Sequence, residues 1–372
     1  MFIVKAGESH GKAMVGILVN VPAGINVDKA KMNALLKERS FALGRSERQK
    51  IERDKVSLIT GVRNGITLGN NVAVVIKNAV AKDYDSVMDA FCADTSSMQV
   101  TALRPGHADL GGVCRCGFSD ARNVLEGASA RNTCIDTALG AIAISMLESL
   151  NIKIAVRVKA LGSIVDDKDY SFEQLLNCKA PAFSQNKAFA SKCKKEIESA
   201  KEQGETLGGS VEIIISPIKP GFGFYAGEKR VDALIAQLLM QLQAVKGVYF
   251  GENPFEITKS ATQYLGSITK GENAKLTTNS CTGGIDGGMT NGDYIKITVG
   301  VKPIPTTKKG VPTLDLATGE NCVSAKERAD ITAVFAICPI VKSVVALALT
   351  EAVCERLGCD NMQAIKDRYD RL

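Results

Sequence analysis

The chain has 372 residues, of which 45% are hydrophobic and 23% charged, with a formal net charge of +6. That balance excludes a disordered or fibrous polymer and describes a globular protein long enough to bury a sizeable core. Aromatic residues make up 5% and tryptophan is absent, which leaves few stacking platforms beside the cations and argues against a nucleic-acid partner.

In chain order, alternation of apolar and polar residues predicts strands over 13–21, 71–77, 152–158, 210–216 and 294–301. Helical periodicity predicts helices near 28–38, 130–150, 187–203, 230–245 and 338–357, with Asp28 and Ser129 as N-caps and Pro339 in a first turn. GITLGNNVAVVI (65–76) and GGMTNGDYIKITV (287–299) share a turn-then-strand pattern, a weak sign of internal duplication. Regular βαβ alternation is missing, so the expected class is α+β, with antiparallel sheets sandwiched by helices. No Pro/Ser-rich linker divides the chain, which favours one domain over 1–372.

MFIVKAGESHG turns polar within a few residues, so no secretion signal is expected. Eleven cysteines, an odd number, then read as reduced thiols in a cytoplasmic protein. Cys114 and Cys116 form a CxC pair with no second pair at zinc spacing, which argues against a metal site. The longest apolar stretch, 333–353, is interrupted by Pro339, Lys342 and Ser343 and is read as a buried helix, not a membrane span.

The chemistry concentrates in a few segments. The only two histidines, His10 in GESHG and His107 in RPGHADL, lie in glycine-bounded turns. Imidazole suits proton transfer near neutral pH, although surface histidines in turns are also common. Arg39, Arg45, Arg48, Lys50, Arg53 and Lys55 form a basic patch, either a solvated helix face or a pocket for a small polyanion. CTGGIDGGMTNGD (281–293) carries five glycines before a strand, as a tight turn or a close approach to something flat. KPIPT (302–306) offers a lysine and a threonine, and LEGASARNTC (125–134) leads into a helix whose N-terminus would accept an anion.

In identity, order and spacing these segments resemble the chorismate synthase family over nearly the whole chain. GESHG with VPAG is similar to its N-terminal signature, RPGHADL carries its second histidine, and SDARNVLEGASAR (119–131) resembles its central signature. GGIDGGMTNG and KPIPT resemble its flavin-binding segments, and RAD (328–330) the start of its C-terminal signature. The resemblance implies a β-α-β sandwich, usually a homotetramer. It also implies the 1,4-elimination of phosphate from 5-enolpyruvylshikimate-3-phosphate to give chorismate, with reduced FMN required and no net redox change. By family position, Ser9, Arg39, Arg45, Arg48, Arg104 and Arg131 would meet substrate, and Arg328 substrate or flavin. His10 would protonate the leaving phosphate, His107 would face the flavin ring as its acid-base partner, and Asp330 would relay the flavin N5 proton. Flavin contacts would come from Ala128, Ser129, Gln243, Ala244 and Gly287, and from Lys302, Pro303, Ile304, Pro305 and Thr306.

The chain departs from the family pattern in places. Glu38 precedes Arg39 where the family has a second arginine, RCG (115–117) replaces KYG, EGASARNT replaces ERASARET, Ala329 replaces a histidine, and KSATQYLG (259–266) lacks the usual Asn-Asp pair. These departures motivate one rival, a flavin-binding relative that no longer turns over; another phosphate-ester lyase or transferase on the same scaffold is a second. Reduced flavin is expected from an external reductase, with NADPH relevant only if the enzyme is bifunctional.

Overall fold

A computed structural model describes residues 1–46, 54–91, 94, 96–251, 256–270, 276–324 and 329–372. The five alternating stretches form strands of two antiparallel sheets, which also hold three strands that the alternation does not announce, over 2–6, 56–60 and 245–250. In the first, β1 (Phe2–Ala6), β2 (Ala13–Val19), β3 (Val56–Thr60) and β4 (Val72–Lys77) take the order β1-β2-β4-β3. Along β2 the period of two parts Met14 and Leu18, buried, from Val15 and Ile17, exposed. In the second, β5 (Ile154–Leu161), β6 (Gly209–Ile215), β7 (Val245–Phe250) and β8 (Ile295–Val301) take the order β7-β8-β6-β5, with the short strand Ile164–Val165 beyond β5. The two turn-then-strand segments supply β4 and β8, each with a neighbour on both sides.

Between the sheets lie α1 (Lys29–Ser40), α4 (Thr133–Ser149), α6 (Val231–Met240) and α7 (Ile337–Leu357), while α2 (Asp109–Cys116), α3 (Arg122–Ala128), α5 (Lys187–Gln203) and α8 (Met362–Asp370) stand outside this layer. Helices α4 and α7 are buried nearly all round because a sheet covers each and they cover one another. They cross where Gly140 meets Ser343: a Cβ on Gly140 would stand 2.3 Å from the Ser343 Cβ. Gly16 of β2 is pressed the same way onto Ile135 of α4. The class is therefore α+β as expected, and the layer order is sheet-helix-sheet. The apolar run 333–353 is indeed a core helix: α7 is long and apolar enough to cross a membrane, but 83% of its most apolar window is buried within the fold.

Two boundaries differ from expectation. The helix expected over 230–245 ends at Met240, because Ala244 takes φ 70° and its carbonyl accepts from Lys302 N beyond β8. Tertiary pairing overrides the helical pattern there. Ser129 does cap, accepting from Arg131 N, but it caps a 3-10 turn (Ala130–Asn132), and α4 begins only at Thr133. Asp28 caps α1 and Pro339 lies in the first turn of α7, both as read.

Candidate active site

The first histidine turn requires its glycine. Gly7 takes φ 131°, and a Cβ there would meet Met14 Sδ at 2.6 Å. The turn passes beneath α3, where Ser9 N donates to Glu126 O at 3.0 Å and His10 N donates to Glu126 Oε2 at 2.9 Å. The other carboxylate oxygen, Oε1, lies 2.8 Å from His10 Nδ1. Tyr84 stacks on the imidazole at 4.0 Å between centroids, and Asn78 Nδ2 donates to Ser9 O at 2.7 Å. Burial alone would raise the Glu126 carboxyl; its hydrogen bonds to His10 and the charge of Arg122, 3.4 Å away, bring it below its usual value.

The second turn repeats the device. Gly106 takes φ 75°, and His107 Nδ1 stands 2.5 Å from Oδ1 of the fully buried Asp109, which opens α2. Arg104 grips the same carboxylate through Nε at 2.8 Å and Nη2 at 2.9 Å. Burial opposes ionisation of Asp109, but the bonds from His107 and Arg104 outweigh it and hold the carboxyl well below the usual range. Lys302 Nζ donates to Gly106 O at 2.6 Å; burial, with Lys246 nearby, lowers its pKa. Beneath both turns Val100, Leu103, Val113, Ala121 and Leu125 form a small core that ties α2 to α3.

The arginines are held by aspartates. Asp54, 3% exposed at its side chain, takes Arg131 at 2.7 Å and Arg39 at 3.6 Å. Arg39 also donates to Thr133 Oγ1 and to Ala130 O, each at 3.1 Å. Arg45 Nη1 meets Asp330 Oδ2 at 2.5 Å, and Ser46 N donates to Asp330 Oδ1. Thr206 Oγ1 donates to Ile304 O and Leu207 N to Ile331 O, joining the 302–306 loop to the Asp330 segment. Residues 39–46 run from Arg39 at the α3–α4 corner to Arg45 and Ser46 at Asp330. Arg48 and Arg328 lie outside the described residues.

Ser9, His10, Arg39, Ala128, Ser129 and Arg131 gather around the α3–α4 corner, and Arg104, His107, Ala244, Lys302 and Pro305 around the second turn. Gln243 precedes Ala244 at the end of the turn after α6, and the loop from Pro303 through Ile304 ends on the buried Thr306. Gly287 is not brought to this group. It tips a hairpin (285–290) at the opposite end of β8 from Lys302, about 20 Å away at about 3.3 Å per strand residue. A cavity of about 70 Å³ lies elsewhere, lined by Glu38, Cys178, Lys179 and Lys342 among others. The residues missed from sequence are carboxylates and a ring: Asp54, Asp109, Glu126 and Tyr84. Asp109 and Glu126 lie inside segments already singled out, each two residues from a named site residue; Asp54 lies within the basic patch between Arg53 and Lys55, and Tyr84 gives no local signal.

Residues 1–354 match the family model described as chorismate synthase. The chorismate synthase of Caldicellulosiruptor bescii is 37% identical, the match covering 100% of this chain and 99% of that protein. That of Corynebacterium efficiens is 34% identical over 96% of this chain and 92% of its own length. A crystal structure of a chorismate synthase superposes with a TM-score of 0.78 at 29% identity, covering 100% of this chain and 96% of the other. With the paired histidines, the arginine cluster and the sheet-helix-sheet order already in place, the chain belongs to the chorismate synthase family.

Proposed function

We propose that the region around His10, His107 and the aspartate-held arginines is the site at which this lyase eliminates phosphate from 5-enolpyruvylshikimate-3-phosphate to give chorismate. The observation that carries the reading is the repetition of one device: each histidine of the chain sits in a glycine turn with Nδ1 against a buried carboxylate. Such pairing fixes a ring for proton transfer through Nε2. His10 protonates the departing phosphate, His107 hydrogen-bonds at the flavin face, and Asp330 would relay the flavin N5 proton. Arg39, Arg45, Arg104 and Arg131 bind the phosphate and the two carboxylates of the substrate. Each guanidinium carries five donors, so an arginine already bound to one carboxylate still offers N–H groups to an oxyanion.

Reduced FMN, when bound, would supply a transient source of electron density that returns to it, so that no net redox change results. The residues present fit such a group. Among the described residues, Asn132 Oδ1 in the turn that Ser129 caps is buried without a hydrogen-bond partner, an acceptor suited to a ligand hydroxyl. Ala244 holds a left-handed backbone next to the Lys302 loop, the kind of strain that clusters at ligand sites. Ala128, Ser129, Gln243, Ala244 and the 302–306 segment would hold the flavin.

The same reading includes one domain, supported by a core cluster that runs from Met1 to Tyr369. It includes a reducing, cytoplasmic setting, supported by cysteines that are free thiols wherever they are described. It also includes a homotetramer. The outer face of the first sheet carries Phe2, Val4, Val15, Ile17 and Ile59, all exposed, with Val4 directly opposite Ile17. The test of function is anaerobic: protein, dithionite-reduced FMN and 5-enolpyruvylshikimate-3-phosphate, with chorismate and phosphate followed together. Equal release that stops when FMN is omitted or oxidised is expected, and flavin binding without product would overturn the reading. Replacing dithionite by NADPH separates a bifunctional enzyme from one served by an external reductase.

A further inference from the structure

Glu126 makes two contacts that an amide could not reproduce. Its Oε2 accepts the His10 backbone N–H at 2.9 Å and its Oε1 lies 2.8 Å from His10 Nδ1. An ionised carboxylate only accepts hydrogen bonds, so the hydrogen between Oε1 and the ring belongs to Nδ1. Both residues are 4% exposed, and Tyr84 covers one face of the ring at 4.0 Å. The ring is therefore fixed in orientation by a stack and in tautomer by an acceptor.

We infer that Glu126 is a positioning residue for His10, holding hydrogen on Nδ1 so that proton exchange with the leaving group runs through Nε2. This rests on the reading of His10 as the proton donor to phosphate. Glu126 reaches His10 across 116 positions of sequence, from the first turn to the helix ahead of the Ser129–Arg131 corner. One side chain thus couples the acid to the segment assigned to flavin and substrate. The ionised carboxylate is also favoured by Arg122, one helical turn before Glu126, whose guanidinium lies 3.4 Å from Oε1.

Glu126→Gln replaces one acceptor oxygen by an NH₂ donor. The His10 backbone N–H can only donate and takes the remaining oxygen, which turns the amide NH₂ toward Nδ1 and makes that nitrogen an acceptor. The tautomer should therefore flip to Nε2–H. The chain has two histidines, so selective ¹⁵N-histidine labelling yields two rings, assigned by His10→Ala and read on the alkaline side of their titration. The expected result is a protonated Nδ1 on His10 in the wild-type protein and a protonated Nε2 in Glu126→Gln. Turnover should fall at least about tenfold with KM changed by less than about threefold, since a proton-transfer group contributes about 10²–10⁴. Glu126→Asp, which keeps two acceptor oxygens, should restore the tautomer and part of the rate, and it serves as the second variant if Glu126→Gln fails to fold. A wild-type His10 protonated on Nε2 would overturn the inference. So would a crippled His10→Ala beside a Glu126→Gln that turns over normally, whereas full activity in His10→Ala would remove the underlying reading and the inference with it.

Discussion

At the scale of single residues, the site is a set of cations already compensated. Arg39 and Arg131 share Asp54, Arg45 holds Asp330, and Arg104 holds Asp109. Buried charges are tolerated only when paired and hydrogen-bonded, so these aspartates let the arginines stand ready without substrate. They also keep the guanidiniums in fixed orientations, which lowers the ordering cost when an oxyanion arrives. His107→Ala should lower turnover by about 10²- to 10⁴-fold with little change in substrate affinity, the range for a proton-transfer group. Steady-state kinetics with reduced FMN in excess checks this, and a near-normal rate would take His107 out of the mechanism. Both histidines were legible because the chain has no others and glycines bound each turn. Asp109 was nearly so, lying two residues from His107. Asp54 was not, since it meets Arg131 across 77 positions and nothing near it in sequence announces that partner.

At the scale of elements, the central helices set the spacing of everything else. The α4–α7 crossing is closest at Gly140, where an added Cβ would press not only on the Ser343 side chain but on its Cα at 2.8 Å. Backbone cannot swing away as a side chain can. Gly140→Ala gains about 1 kcal/mol of helix propensity but incurs an overpacking cost of about 1–3 kcal/mol, and the two helices must part to admit it. A net loss of stability is expected, read as a lower denaturant midpoint; a midpoint at or above wild type would show that the crossing has room. The helix over 187–203 and the strands over 71–77 and 294–301 could be read from periodicity nearly to the residue. The overlong helix at 230–245 could not, because its end depends on β8 arriving beside Ala244.

At the scale of the whole molecule, two consequences follow from burial. Asp109 and Glu126 both have folded-state pKa values below their unfolded ones. Each therefore contributes stability that is present above the ordinary carboxylate range and is lost as pH falls through it, below about pH 4. Melting temperature should drop steeply there in the wild-type protein and more shallowly in Asp109→Asn, and parallel curves would assign acid unfolding to other groups. The second consequence concerns the outer face of the first sheet. Phe2, Val4, Val15 and Ile17 are exposed on this face, while Met14 and Leu18 of β2 are buried on the other. If this face carries the proposed homotetramer contact, Ile17→Asp should reduce the mass measured by light scattering, and an unchanged mass would take the face out of that proposal.

The sequence by itself determined the longer helices and five of the strands, the family and the side-chain chemistry on offer, because periodicity, capping and motif spacing are properties of neighbouring residues. Only the tertiary structure decided which helices lie between the sheets, that Gly287 stands a strand's length from Lys302, and which carboxylate meets which cation. Those outcomes depend on how distant segments register against one another. A hydrogen bond such as His10 to Glu126 is made by packing a turn under a helix, and no local pattern encodes where that helix will be.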